Sequence, residues 1–253
     1  MAGNRWLKLL DPRRPGVQTR RFGLATALRF AECGARIAIL DRQTSLSLEA
    51  RQLVEKYGSE FQFFQCDITN ETEVAGCVNL VVKRFGRLDF AFNAAGVGGD
   101  FALVENYPTD DWDFVMNVNL KGTFLSMKYE IPAILKSGGG SIVNCASLLS
   151  LVASEKDSAY VASKFGVLGL TKNAALEYAA TPLRINAVSP GFTRTPMIDK
   201  GDEAKLDRIA ALHPIGRLAK PEEMANGVLW LCSDQATFAV GLNLLLDGGY
   251  TIQ

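Results

Sequence analysis

The feature that most constrains this chain is an alternation between two hydrophobic periods. Short continuous apolar runs, rich in β-branched and aromatic residues, take turns with longer stretches of helical spacing. A strand covered on both faces needs such a continuous run, and the intervening helices are what cover it. The runs fall at residues 35–40, 61–65, 88–92, 141–145, 184–188 and 242–246. Helical spacing covers residues 22–33, 44–57, a stretch opened by Asn70, 109–135 with an expected interruption near Pro132, and 158–179. A last helix opens on Pro221, with Glu222 and Glu223 behind it. Gly34 and Gly58 read as helix stops, and Glu71 and Glu73 suit the first turn after Asn70. The expected fold is α/β: a doubly wound parallel sheet in three αβα layers, with residues 1–253 as a single domain.

Composition narrows the functions open to such a fold. Hydrophobic residues make up 48% of 253 positions, enough for a large core. Twenty-seven basic residues balance 27 acidic ones, so no global field draws nucleic acid or an anionic membrane. Five scattered cysteines with no CxxC argue against a disulfide framework or zinc site and for a reducing, cytoplasmic setting. A single histidine, His213, removes most metal and triad chemistry, and no metal is expected. No apolar run reaches membrane-spanning length, and the first residues lack the apolar core of a secretion signal.

The first 21 residues break the rhythm. A strand should precede the helix that begins at Phe22, yet the segment reads Leu10-Asp11-Pro12-Arg13-Arg14-Pro15. Two prolines remove ladder hydrogen bonds, and arginines are costly in a central strand. This segment is expected to be irregular or poorly packed.

Candidate chemistry collects at a few positions. Tyr160 and Lys164 are four apart on a predicted helix and share a face. A phenol is a poor base near neutrality, but a nearby ammonium favours the phenolate. Such a tyrosine could take a proton from an alcohol or return one to an alkoxide; a buried aromatic beside a surface lysine would look the same. Ser147 lies just past a strand, where its hydroxyl could bond a substrate oxygen or merely hold a turn. Asn119, within Asn117-Val118-Asn119-Leu120, could hold a relay water, open a helix turn, or sit solvated. Asn93-Ala94-Ala95-Gly96 follows a buried strand, and its small residues would let a nucleotide approach the backbone.

Together these motifs resemble the short-chain dehydrogenase/reductase family, in its short single-domain branch, in order over residues 22–250. The resemblance also rests on Asp41, Asp67-Ile68, Pro190-Gly191-Phe192-Thr193-Arg194-Thr195, Gly216-Arg217 with Pro221-Glu222-Glu223, and Asp247-Gly248-Gly249. It implies a Rossmann-like fold and a catalytic set of Asn119, Ser147, Tyr160 and Lys164. In that set Tyr160 is the acid/base, Ser147 anchors the substrate oxygen, Lys164 clamps ribose and tunes Tyr160, and Asn119 holds a water. It further implies that Gly23, Asp41, Asp67, Ile68, Asn93, Ala95, Gly96, Tyr160, Lys164, Pro190, Gly191, Thr193 and Thr195 line a nicotinamide-cofactor site. Asp41 ends the second strand of that pattern, where a carboxylate accepts ribose hydroxyls and repels a 2′-phosphate, so NAD is expected over NADP. A homodimer or homotetramer is implied, along with a small alcohol or ketone substrate.

The resemblance breaks at the family's glycine-rich phosphate loop. The equivalent segment is Gly16-Val17-Gln18-Thr19-Arg20-Arg21-Phe22-Gly23, in which Val17 and Arg21 stand where glycines belong. Those glycines allow a tight turn and a close approach to pyrophosphate. Two functions therefore compete: an NAD-dependent dehydrogenase of secondary alcohols, and a non-catalytic binding or assembly subunit with an impaired cofactor site. An epimerase or dehydratase fits less well, since no larger substrate domain follows. His213, in a loop without evident partners, reads as structural.

Overall fold

The computed structural model describes residues 22–43, 48–195, 198 and 202–253. The expectations for residues 1–21, including the phosphate loop, lie outside the described residues.

Among the described residues, six strands alternate with helices in the expected order. β1 (Ile37–Asp41) pairs in parallel with β2 (Phe61–Gln65). β3 (Phe90–Asn93), β4 (Gly140–Cys145), β5 (Leu183–Pro190) and β6 (Asn243–Leu246) form a parallel set in that order. Side chains of successive strand residues point to opposite faces, so each strand feeds two cores. On one side Val143 and Val188 pack with Ala27, Phe30 and Ala31 of α1 (Phe22–Glu32) and Val228 and Leu231 of α8 (Pro221–Cys232). On the other, Ile142 and Ile185 pack with Ile131 and Ile134 of α5 (Gly122–Lys136) and Ala174 of α6 (Ser158–Tyr178). This is the three-layer αβα arrangement, and it directs the carboxyl ends of the strands toward one end of the molecule.

Local signals explain the boundaries. Asn70 caps α3 (Glu71–Phe85) by accepting from the amides of Thr72 and Glu73. The Glu73 carboxylate reaches back to the Asp67 amide at 2.8 Å. Pro221 occupies the first turn of α8, where its missing N–H costs nothing. α2 runs Leu48–Glu55.

One expectation is corrected, and one element is new. The helical stretch is interrupted not at Pro132 but earlier, by a π-helical turn at Asn117–Lys121 between α4 (Thr109–Met116) and α5. Pro132 removes one N–H only, and α5 is held through it by the buried Ile131 and Ile134 on either side. A helix that the sequence did not announce, α7 (Glu203–Ala211), follows β5; its cap is Asp202, which accepts the Lys205 amide at 2.9 Å.

Candidate active site

The site is built where β3, β4, β5 and α6 meet. Lys164, one turn beyond Tyr160 on α6, is buried, and its ammonium donates to the carbonyl of Cys145 at the end of β4, 2.8 Å away. The same Nζ lies 5.6 Å from the centroid of the Tyr160 ring. A lysine ammonium has three donors, so two remain for other partners. Gly96, beyond β3, is the floor beneath this group. A Cβ there would stand 3.4 Å from Lys164 Nζ and 3.3 Å from Asn119 Oδ1.

Asn119 is fully buried in the π-helical turn rather than solvated. Its Oδ1 accepts the Val97 amide at 2.8 Å, and its Nδ2 donates to Val97 O and to Ser163 Oγ, each at 3.0 Å. The side chain thus ties the loop after β3 to α6, and its amide is spent on protein partners. π turns of this kind widen a helix locally and recur at functional sites. Ser147 follows β4 and is buried; its Oγ accepts the Leu149 amide at 3.1 Å. With that acceptor role filled, the hydroxyl proton is free to be donated.

Ser147, Tyr160, Lys164, Asn93, Ala95 and Gly96 line one cavity of about 1810 Å³ among the described residues. Gly23, Asp41, Ile68, Pro190, Gly191, Thr193 and Thr195 line it as well. Asn119 and Asp67 do not; the first stands behind Gly96, and the second is turned to its own loop. The Asp67 carboxylate accepts Thr69 N at 2.9 Å and Thr69 Oγ1 at 2.7 Å, bonds that hold it below the usual carboxylate range. Ile68 packs on Gly122, where a Cβ would come within 2.5 Å of its Cδ1. Asp41 ends β1 and accepts the Gln43 amide at 3.0 Å. Gly191 admits no side chain, since a Cβ would lie 2.8 Å from Asp247 Cα.

One residue escaped the sequence reading, and another has partners that the sequence did not show. Glu130 of α5 lines the cavity and accepts from Asn93 Nδ2 at 3.0 Å; Asn93 also donates to Asn144 Oδ1 at 2.9 Å. Burial pushes the Glu130 carboxyl up to about 7. His213 is buried, not a partnerless loop residue. It sits between the rings of Phe192 and Tyr250, with centroids 5.7 and 5.4 Å away.

Known proteins share this fold. A family profile described as enoyl-(acyl carrier protein) reductase matches residues 16–251. A cyclohexanol dehydrogenase from Acinetobacter sp. (strain SE19) is 42% identical over 233 residues, covering 90% of each chain. The structure of an NAD+-bound xylitol dehydrogenase superposes with a TM-score of 0.84 at 34% identity, covering 90% of this chain and 94% of the other. ElxO with NADP bound gives 0.86 at 33% identity, covering 92% and 95%. The fold, the ordered motifs and these likenesses agree, and the chain belongs to the short-chain dehydrogenase/reductase family.

Proposed function

We propose that this protein is an NAD-dependent dehydrogenase or ketone reductase acting on a secondary alcohol or its ketone. The observation that carries the reading is the buried Lys164 ammonium, fixed on the Cys145 carbonyl and set against the Tyr160 ring beside Gly96. A buried charge is costly unless it is used, and here it faces a phenol in a cleft.

The residues present fit a nicotinamide cofactor. Gly96 and Gly191 bring bare backbone to the cavity wall, and Asp41 ends β1 on the same cavity. Asp41 would accept the ribose hydroxyls, Ile68 would border the adenine, Lys164 would hold the second ribose, and Thr193 and Thr195 would meet the nicotinamide side. When bound, the cofactor supplies hydride exchange at the substrate carbon. The relatives include proteins with NAD and with NADP, and the carboxylate of Asp41 favours NAD.

In the oxidation direction Ser147 donates a hydrogen bond to the substrate oxygen. Tyr160, as the phenolate that the Lys164 ammonium favours, takes the alcohol proton and becomes the neutral phenol. Reduction runs the same proton back to the alkoxide. Asn119 keeps the loop after β3 against α6, behind Gly96. Titration with NADH, followed by a screen of secondary alcohols with Tyr160→Phe as control, tests the reading. Saturable NADH binding and Tyr160-dependent turnover support it; no binding contradicts it.

Assembly into a dimer or tetramer is part of the same proposal. Phe114 of α4, Phe124 of α5, and Phe165 and Leu176 of α6 are all exposed apolar side chains on the two long helical stretches. A helix apolar on several faces needs cover on several sides.

A further inference from the structure

Asp157 sits immediately before α6, three residues ahead of Tyr160, and the mechanism above makes no use of it. Aspartate is a preferred helix cap because its carboxylate accepts the amides of the first turn. Asp157 occupies the capping position of α6 and makes no such side-chain bond; only its backbone carbonyl serves the helix, accepting Val161 N at 2.9 Å. Burial lifts its carboxyl above the usual range, against an opposing effect of the Ser154 hydroxyl.

The chain bears a cost to deliver it there. Lys156, the residue before, holds a φ of 66°, a conformation that side chains other than glycine rarely adopt. The Ala102 amide fixes that turn by donating to Lys156 O at 3.1 Å. Strain of this kind persists only where surrounding structure enforces it. Ser154 and Asp157 line the same cavity as Ser147 and Tyr160, with Leu148 and Leu149 as apolar wall. An ionised carboxylate offers about four acceptor sites, room for a hydroxyl donor from a molecule in the cavity.

We propose that Asp157, backed by Ser154, accepts a second hydroxyl of the substrate, so that the preferred substrates are diols and the matching hydroxy-ketones rather than simple alcohols. The inference rests on the dehydrogenase reading of the same cleft. One oxygen of the substrate meets Ser147 and Tyr160. A hydroxyl on a neighbouring carbon reaches Asp157, and the hydrocarbon lies against the leucines. Asp157 is a specificity residue here, with no part in proton transfer.

The test compares cis-1,2-cyclohexanediol with cyclohexanol in the NAD-loaded enzyme. The expected ratio of kcat/KM favours the diol by roughly 10–100-fold, the worth of a hydrogen bond to a charged group. Asp157→Ala should collapse that ratio toward one, and Asp157→Asn, which keeps one acceptor oxygen, should restore part of it. Thermal unfolding gives a readout free of turnover: the diol should stabilise the unmodified protein and not Asp157→Ala, and cyclohexanol should distinguish the two less. Equal use of both alcohols, with a ratio that Asp157→Ala does not move, overturns the proposal and leaves the dehydrogenase reading standing. A stronger preference for 2-aminocyclohexanol overturns it too, by pointing to an ammonium ligand. If neither alcohol is turned over but the diol still stabilises the protein through Asp157, the site stands and the dehydrogenase reading fails. If the diol neither stabilises the protein nor is oxidised, the proposal fails.

Discussion

The imidazole Nε2 of His213 accepts the backbone N–H of Phe192 at 3.2 Å. Its Nδ1 lies 3.1 Å from the carbonyl of Ile209, which can only accept, so Nδ1 carries the proton and Nε2 is left as the acceptor. This pins the segment that runs from Phe192 into Thr193 and Thr195 to the end of α7. His213→Leu leaves the Phe192 amide buried without a partner, at a cost of about 1–3 kcal/mol. Urea unfolding should show that loss, NADH affinity should fall with it, and His213→Gln should recover part of both. A leucine variant as stable as the parent would show that the bond carries nothing.

Glu130 makes stability depend on pH. Its folded value near 7 lies above the ordinary 4.5, so the native state holds a proton that the unfolded chain has released. Stability from this group is full below about 4.5, declines as pH rises to about 7, and is flat beyond. Glu130→Gln keeps an acceptor for Asn93 and removes the titration. The variant should match the parent at pH 4.5 and exceed it at pH 8, by at most ~3 kcal/mol. Chemical denaturation at the two pH values checks this, and a constant difference would contradict it.

Asp41 should set cofactor choice. Asp41→Ala removes the acceptor for the ribose hydroxyls and the repulsion toward a 2′-phosphate. Titrations with NADH and NADPH should show the parent favouring NADH and the variant narrowing that gap by about tenfold, worth 1.4 kcal/mol. A parent that binds NADPH more tightly would reverse the assignment.

Much of this architecture was legible before any coordinates. β2 matches its apolar run residue for residue, Asn70 caps α3 as read, and Pro221 opens α8. Strands covered on both faces leave short continuous apolar runs, and their alternation with longer helical stretches set the order of the elements. What stayed hidden has physical causes. The π turn around Asn119 differs from an α-helix by one residue of hydrogen-bond register and has no compositional mark. α7 buries only Leu206, so its apolar period is faint. His213 takes its ring partners from Phe192 and Tyr250, far off in the chain. Glu130 could have been found: it stands three after Met127 and four before Ile134, on the buried stripe of α5.

Assembly should be visible in solution. Phe114, Phe124, Phe165 and Leu176 are exposed in the single chain and need cover. Sedimentation at micromolar concentration should show a dimer or tetramer, and charged substitutions at Phe124 and Phe165 should shift it toward monomer. A monomeric parent would contradict the assignment.

The central claim is that Tyr160, with Lys164 against its ring, carries the proton of an alcohol–ketone reaction. The most direct measurement is steady-state turnover of Tyr160→Phe beside the parent, with circular dichroism and NADH binding as controls. Removing one oxygen atom should leave fold and binding intact and lower kcat by about 10²–10⁴-fold, the usual worth of a general acid–base group. Turnover unchanged in the phenylalanine variant would contradict the account.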